Sequence, residues 1–252
     1  MTSTQDTGGP RPIMGLIGPN GSGKTTFFRR RSAEPDVAFG QASADIHFFG
    51  ATPRDHFRVV QRGWQGLDVG EAEKTLGFDP TTPLAKLSVG QRQLVIVSSV
   101  VAAGKPVLLL DEPFNGLDAP HRNQVRERLR QAAETAEVWV SSQHSQDLAG
   151  LVDAVVVMRD FHAQAPVTMD ELRETHPVLS GPAEVVAEVI GSAPVLSDKA
   201  LGGYRRAVLG AGLSASARDF AQSRGVEVRY LDTSELLDVA VAGALVQEEE
   251  EQ

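Results

Sequence analysis

The run Gly18-Pro19-Asn20-Gly21-Ser22-Gly23-Lys24-Thr25 constrains this chain more than any other feature. A short apolar stretch, Ile13-Met14-Gly15-Leu16-Ile17, precedes it, and Thr26-Phe27-Phe28 follows. The glycine-rich turn therefore joins a buried strand to a helix expected to start at Lys24 and reach about Arg31. Such a turn lets successive backbone N–H groups point at one centre, and the positive end of the helix adds to their pull on a phosphate. Lys24 supplies a point charge suited to β- and γ-phosphates, and Thr25 a hydroxyl suited to Mg²⁺. Asn20, Gly21, Ser22, Gly23 and Thr26 complete the expected phosphate-binding set. A chance glycine turn containing Lys-Thr is the plain alternative, and the flanking strand and helix argue against it.

Strands alternate with helices over the rest of the first two thirds. Apolar runs at 37–39, 107–110, 138–140 and 154–158 read as strands. Residues 55–65, 70–77, a long segment after Ser88 and 119–134 read as helices. This order predicts parallel βα units in a doubly wound α/β sheet, with a helical region over about 46–104. After His176 the pattern changes to a smaller α+β unit, 177–252. Helices are expected there near 183–190, 214–223 and 234–246, and strands at 204–209 and 226–230.

A second motif lies at Val107-Leu108-Leu109-Leu110-Asp111-Glu112-Pro113. A carboxylate at the end of a buried strand falls beside the phosphate loop of a parallel sheet, where Asp111 can hold Mg²⁺ through water. Glu112 is placed to polarise an attacking water as general base. Between the two motifs stands Leu87-Ser88-Val89-Gly90-Gln91 at the start of a helix, and Asn115-Gly116-Leu117-Asp118 follows Glu112.

Together these motifs resemble those of ABC ATPases. The run at Ser88 is similar to the family's signature sequence, with Val89 in place of its first glycine. Asp118 matches the D-loop, and Gln41 looks like the Q-loop glutamine that joins the Mg²⁺ shell and senses a membrane partner. The resemblance covers about 13–176 and is nearest to small bacterial exporter-type ATPases with a C-terminal extension. It implies a P-loop NTPase (RecA-like) parallel sheet with a helical signature subdomain, and a C-terminal accessory or dimerisation domain. It implies Mg-ATP bound by Asn20 through Thr26, with Thr25, Gln41 and Asp111 around the metal. It also implies two subunits packed head to tail, Ser88, Gly90 and Gln91 of one meeting ATP held by the other. The subunit would be a homodimer or heterodimer member that drives a separate transmembrane permease from the cytoplasmic face of the membrane.

The chain departs from the family pattern twice. The switch histidine is expected after the strand at 138–140, where Ser141-Ser142-Gln143-His144-Ser145 stands. Counting back from Asp153 by the family spacing lands on Gln143, so either His144 serves after a one-residue shift or Gln143 has replaced it, and His144 is preferred. The second departure is a small antiparallel β-subdomain that the family carries around the phosphate loop. Here residues 1–12 precede the first strand, and Lys24 to Gln41 leaves room for one helix and one strand. With that subdomain goes the upstream aromatic ring that stacks on adenine.

Composition narrows the alternatives. The net charge of −9, part of it in the tail Glu248 to Glu251, argues against a nucleic-acid partner. The absence of cysteine excludes disulfides and thiolate metal sites. No apolar run reaches the ~18 residues that would cross a bilayer. Residues 1–12 lack the apolar core of a signal peptide and read as a loose leader on a cytosolic protein. A transport-coupled ATPase leads these readings. An ATP-gated regulatory module with little turnover is the alternative, favoured by Gln143 and the missing β-subdomain and opposed by the intact Asp111-Glu112 pair. A soluble ABC ATPase acting on ribosomes or DNA would carry two cassettes or a long coiled coil, and neither is present.

Overall fold

The computed structural model describes residues 10–42 and 47–250, the side chains of 243–250 excepted. Most of the expected leader, the start of the helical region at about 46 and the side chains of the acidic tail lie outside the described residues. The chain divides into two compact units, Met1–Gln164 and Ala165–Gln252.

The first unit runs β1 (Ile13–Ile17), α1 (Lys24–Arg31), β2 (Val37–Gln41), α2 (Pro53–Gly63), α3 (Val69–Thr75), a 3-10 turn at Leu84–Lys86 and α4 (Val89–Val101). It continues with β3 (Val107–Asp111), α5 (Ala119–Ala133), β4 (Glu137–Ser141), α6 (Ser145–Leu148), β5 (Ala154–Arg159) and β6 (His162–Ala163). The strands line up in the order β2-β3-β4-β1-β5-β6. The first five are parallel to one another, and β6 folds back antiparallel on β5. Each parallel strand is apolar along most of its length because helices cover both faces of the sheet.

Phe28 of α1 is fully buried against Met14, Leu16, Leu109, Val156 and Met158, which fixes the helix that follows the glycine turn over the sheet. A second cluster, with Phe57, Leu67, Leu76, Leu87 and Val95, holds α2, α3 and the start of α4 together. Register then decides what meets at the carboxyl edge. Gln41 pairs with Asp111, Asp111 with Ser141, and Ser141 with Leu16, so three polar residues end in one row beside the turn after β1.

The second unit contains β7 (Val167–Thr168), α7 (Met169–Thr175), β8 (Pro177–Pro182), α8 (Ala183–Ile190), β9 (Val195–Leu201), β10 (Tyr204–Leu209), α9 (Ala215–Ser223), β11 (Glu227–Tyr230) and α10 (Thr233–Glu250). Four of its strands form an antiparallel sheet in the order β11-β8-β10-β9. Its core joins Leu179, Val186, Leu209, Ala221 and Val226. The compact units divide ahead of α7, which packs against α10.

Candidate nucleotide-binding site

The turn after β1 closes around a cavity of about 410 Å³ at the carboxyl edge of the sheet. Its lining includes Asn20, Gly21, Gly23, Lys24, Thr25 and Thr26 from the turn and the first turn of α1. Gln41 comes from β2, Asp111 from the end of β3, Glu112 from the turn that follows it, and Gln143 from the loop after β4. Gly23 sits at φ +98 immediately before α1, a conformation that a side chain would strain.

Lys24 Nζ, buried in the loop, donates to the carbonyls of Gly18 at 2.8 Å and Pro19 at 3.0 Å. Burial pulls its pKa below the usual lysine value, while the charges of Glu112 and Asp111 oppose that shift. The Ser22 hydroxyl is also buried and finds no hydrogen-bond partner among the described residues. A buried hydroxyl left unpaired is costly. An anion seated in the turn offers it an acceptor.

The Thr25 hydroxyl donates to Asp111 Oδ2 at 2.7 Å. The Ser141 hydroxyl donates to the other oxygen, Oδ1, and so fixes the plane of the carboxylate. No group of three or more His, Cys, Asp or Glu is placed to hold a metal among the described residues. Mg²⁺ beside a triphosphate needs none, since phosphates and waters supply most of its octahedral shell. The adjoining Thr25 and Asp111 oxygens fit that requirement. Gln41 lies beside them, its Oε1 accepting from Arg29 at 2.9 Å.

Glu112 has φ +55, an uncommon backbone conformation for a side chain of this kind. Its N–H is held by the Ser141 carbonyl at 3.2 Å and hydroxyl at 3.1 Å, which fixes the strained turn. Desolvation raises the Glu112 pKa above the ordinary carboxylate value. A backbone hydrogen bond from Gln143 opposes this, the Asp111 charge adds to it, and Lys24 and His144 lower it. A carboxylate so placed can accept a proton from water at its free oxygen.

His144, preferred in the sequence reading, does not line the cavity, whereas Gln143 does. The Gln143 N–H donates to Glu112 Oε2 at 3.2 Å. The reason lies in the next turn. Ser142 Oγ donates to the buried Asp147, His144 N–H donates to Ser142 Oγ, and Arg122 holds Asp147 at 2.7 Å. This network sets the backbone at His144, the residue before α6, and places the Gln143 N–H on the carboxylate.

The signature residues lie elsewhere. Ser88 caps α4 by accepting from the Gln91 N–H at 3.1 Å, and Gln91 Oε1 accepts from the Ser88 N–H at 3.0 Å. Gln91 is thereby engaged within its own helix. Ser88 and Val89 are exposed, and neither Gly90 nor Gln91 lines the cavity. Asp118 caps α5, accepting from the His121 N–H at 3.0 Å. A Cβ at Gly90 would stand 2.9 Å from the Gly116 carbonyl, so glycine lets α4 approach the loop between Glu112 and Asp118. Sequence reasoning missed Phe161, Asn115 and Ala42, which also line the cavity. A Phe in the turn after β5 carries no motif to reveal it.

A parallel sheet with an anion-binding turn after β1 and a carboxylate ending the β3 strand is a P-loop nucleoside-triphosphate-binding fold. Residues 9–115 match the model of the family described as ABC transporter. The chain is 31% identical over 77% of its length to the Fe(3+) ions import ATP-binding protein of Rhizobium etli, of which it covers 62%. It is 32% identical over 66% of its length to a sulfate/thiosulfate import ATP-binding protein of Rhizobium meliloti, of which it covers 54%. The chain thus spans a little over half the length of these curated relatives. Among solved structures it resembles an ATP-binding subunit of an ABC transporter, with a TM-score of 0.54 and 21% identity over 64% of this chain and 80% of that one. It resembles likewise a chain of an inward-facing metal-chelate type ABC transporter, with a TM-score of 0.55 and 14% identity over 82% and 88%. The first unit of this protein thus has the P-loop fold, and its sequence is similar to the ATP-binding proteins of the ABC transporter family.

Proposed function

We propose that the chain is the ATP-hydrolysing subunit of an ABC transporter, which closes head to tail on Mg-ATP with a second ABC ATPase subunit and drives a separate permease. The observation that carries this reading is the convergence of Lys24, Thr25, Asp111 and Glu112 on one cavity, while Ser88 lies exposed at a capped helix start outside it. Lys24 exchanges the carbonyls of Gly18 and Pro19 for the β- and γ-phosphates. Thr25 and Asp111, with Gln41 beside them, would hold Mg²⁺, which would supply positive charge to offset that of the phosphates. Glu112 takes the proton of the attacking water. Gln143 donates its amide to the γ-phosphate, a hydrogen bond that orients without taking up a proton.

The exposed Ser88 and the N-terminus of α4 then serve the nucleotide of the partner, where free N–H groups and the helix dipole favour an anion. ATP becomes part of the interface, and hydrolysis dissolves it. The permease has a place to act beside Gln41, in a groove of about 780 Å³ lined by Phe39, Gln41, Phe48, Phe49 and Trp64. Among the described residues no helix is long and apolar enough to cross a membrane, which suits a subunit that works through a membrane partner. The relatives are import subunits by name, whereas the C-terminal extension is likened to exporter-type ATPases. The reading therefore rests on what both share, ATP hydrolysis coupled to transport.

Glu112→Gln tests it. The substitution keeps the shape of the site and removes the base, so Mg-ATP should trap a dimer in size-exclusion chromatography while turnover is lost. A variant that stays monomeric under saturating Mg-ATP, with and without the permease, overturns the closing dimer.

A further inference from the structure

We propose that Phe161 is the platform on which the nucleotide base rests, an inference that stands on the phosphate-loop reading above. Phe161 is the one aromatic residue among the described lining of the cavity. Its side chain is 58% exposed, unlike the neighbouring Phe28, which is buried in the core, and Phe27, which packs against that core. An exposed ring at the rim of a polar cavity has no share in the core to account for it.

The ring is held against the phosphate loop from two sides. The Phe161 N–H donates to the Ser22 carbonyl at 3.0 Å. A Cβ at Gly23 would stand 2.6 Å from Phe161 Cδ1 and 3.1 Å from its Cγ, so the ring edge lies directly on that glycine. Asp160 and Phe161 both take positive φ, +44 and +64, to make the turn from β5 into β6. Two consecutive side-chain-bearing residues in the left-handed region are strained, and the Ser22 contact helps to hold them there.

Sheet order supplies the direction. β1, which carries the loop, lies between β4 and β5. Asp111, Glu112 and Gln143 arise from β3 and β4, on one side of β1, and they mark the end where the γ-phosphate and its metal belong. Phe161 arises from β5, on the other side. A triphosphate laid along the loop with its terminal phosphate at the carboxylates sends its nucleoside toward β5. There the exposed ring offers a π-face. Every base has such a face, so this platform grips purines without telling adenine from guanine. It supplies from the strand beside β1 the ring that residues 10–12 do not provide.

The test uses the full chain with three ligands in the presence of Mg²⁺: ATP, GTP and inorganic tripolyphosphate, measured by equilibrium binding. Phe161→Gly keeps the left-handed turn and removes the ring. It should weaken ATP and GTP alike by about ten- to a hundredfold and leave tripolyphosphate unchanged. Phe161→Trp should restore both nucleotides. Unchanged ATP affinity in Phe161→Gly overturns the proposal, as does an equal loss for tripolyphosphate, which would make the ring a prop for the loop. Wild-type chain that binds tripolyphosphate as tightly as ATP removes the platform and spares the phosphate loop. Wild-type chain that binds none of the three removes both.

Discussion

At Gln143 and His144 the backbone is held by a network built on one buried aspartate. Asp147 is 3% exposed and is bonded by Arg122 and Ser142. Ser142 in turn receives the His144 N–H, so the chain direction at this point is set by a network that no local spacing rule contains. Gln143 is left with its N–H on Glu112. Gln143→Ala should therefore reduce ATP turnover more than His144→Ala, measured at saturating Mg-ATP in the presence of the permease. Equal loss in both variants, or a larger one at His144, returns the role to the histidine. The sequence narrowed the switch position to two neighbours, and the backbone path that separates them depends on Arg122 and Asp147, which no local spacing shows.

Helices show the same division between local and distant causes. α4 begins where Ser88 and Gln91 form a reciprocal cap, and α2 begins at Thr52 and Asp55 with Pro53 between them. Both starts can be read within four residues of sequence. What α2 buries cannot. His56, on its second turn, is 7% exposed, stacks on Phe49, meets Phe48 edge-on and accepts from the Phe49 N–H. Desolvation drops its pKa from 6.5 to about 4. Below pH 6.5 the unfolded chain takes up a proton at this residue that the folded chain refuses. Stability should thus fall as pH drops from 6.5 toward 4, by up to about 3 kcal/mol from this residue alone. Urea unfolding at several pH values checks it. His56→Asn, which keeps an acceptor for Phe49 but does not titrate, should flatten that part of the profile, and an unchanged slope would dismiss the assignment.

For the molecule as a whole, the proposed head-to-tail closure makes each catalytic site the property of two chains. Lys24→Ala disables the phosphate loop, and Ser88→Arg blocks the signature surface with a bulky cation. Each variant alone should be inactive. In a mixed dimer both defects fall on one site, and the other site keeps an intact loop facing an intact signature. Mixing the two inactive proteins should restore part of the ATPase activity, up to that of one working site per mixed dimer. No recovery, despite dimers seen by cross-linking, would contradict head-to-tail pairing. The second unit contributes a lesson about what sequence conceals. β9 is exposed along nearly its whole length and shows no alternation, and β8 is bounded by Pro177 and Pro182, so neither reads as a strand. Only Gly202-Gly203 between β9 and β10, with φ +55 and +80, betrays the hairpin.

The sequence by itself determined the phosphate loop, the carboxylate pair at the end of the β3 strand, the capped start of α4 and the parallel order of the first unit. Each depends on chemistry confined to a few neighbouring residues: glycines that permit positive φ, a lysine and a threonine that open a helix, and apolar runs long enough for a strand. The tertiary structure alone decided which side chains share the cavity. Register across β2, β3 and β4 placed Gln41, Asp111 and Ser141 in one row. The Asp147 network set the Gln143 N–H on Glu112, and the turn after β5 carried Phe161 back onto Gly23. Positions so far apart in the chain meet only because strand pairing and burial of a common core bring them together, and neither force leaves a pattern within the window of any one motif.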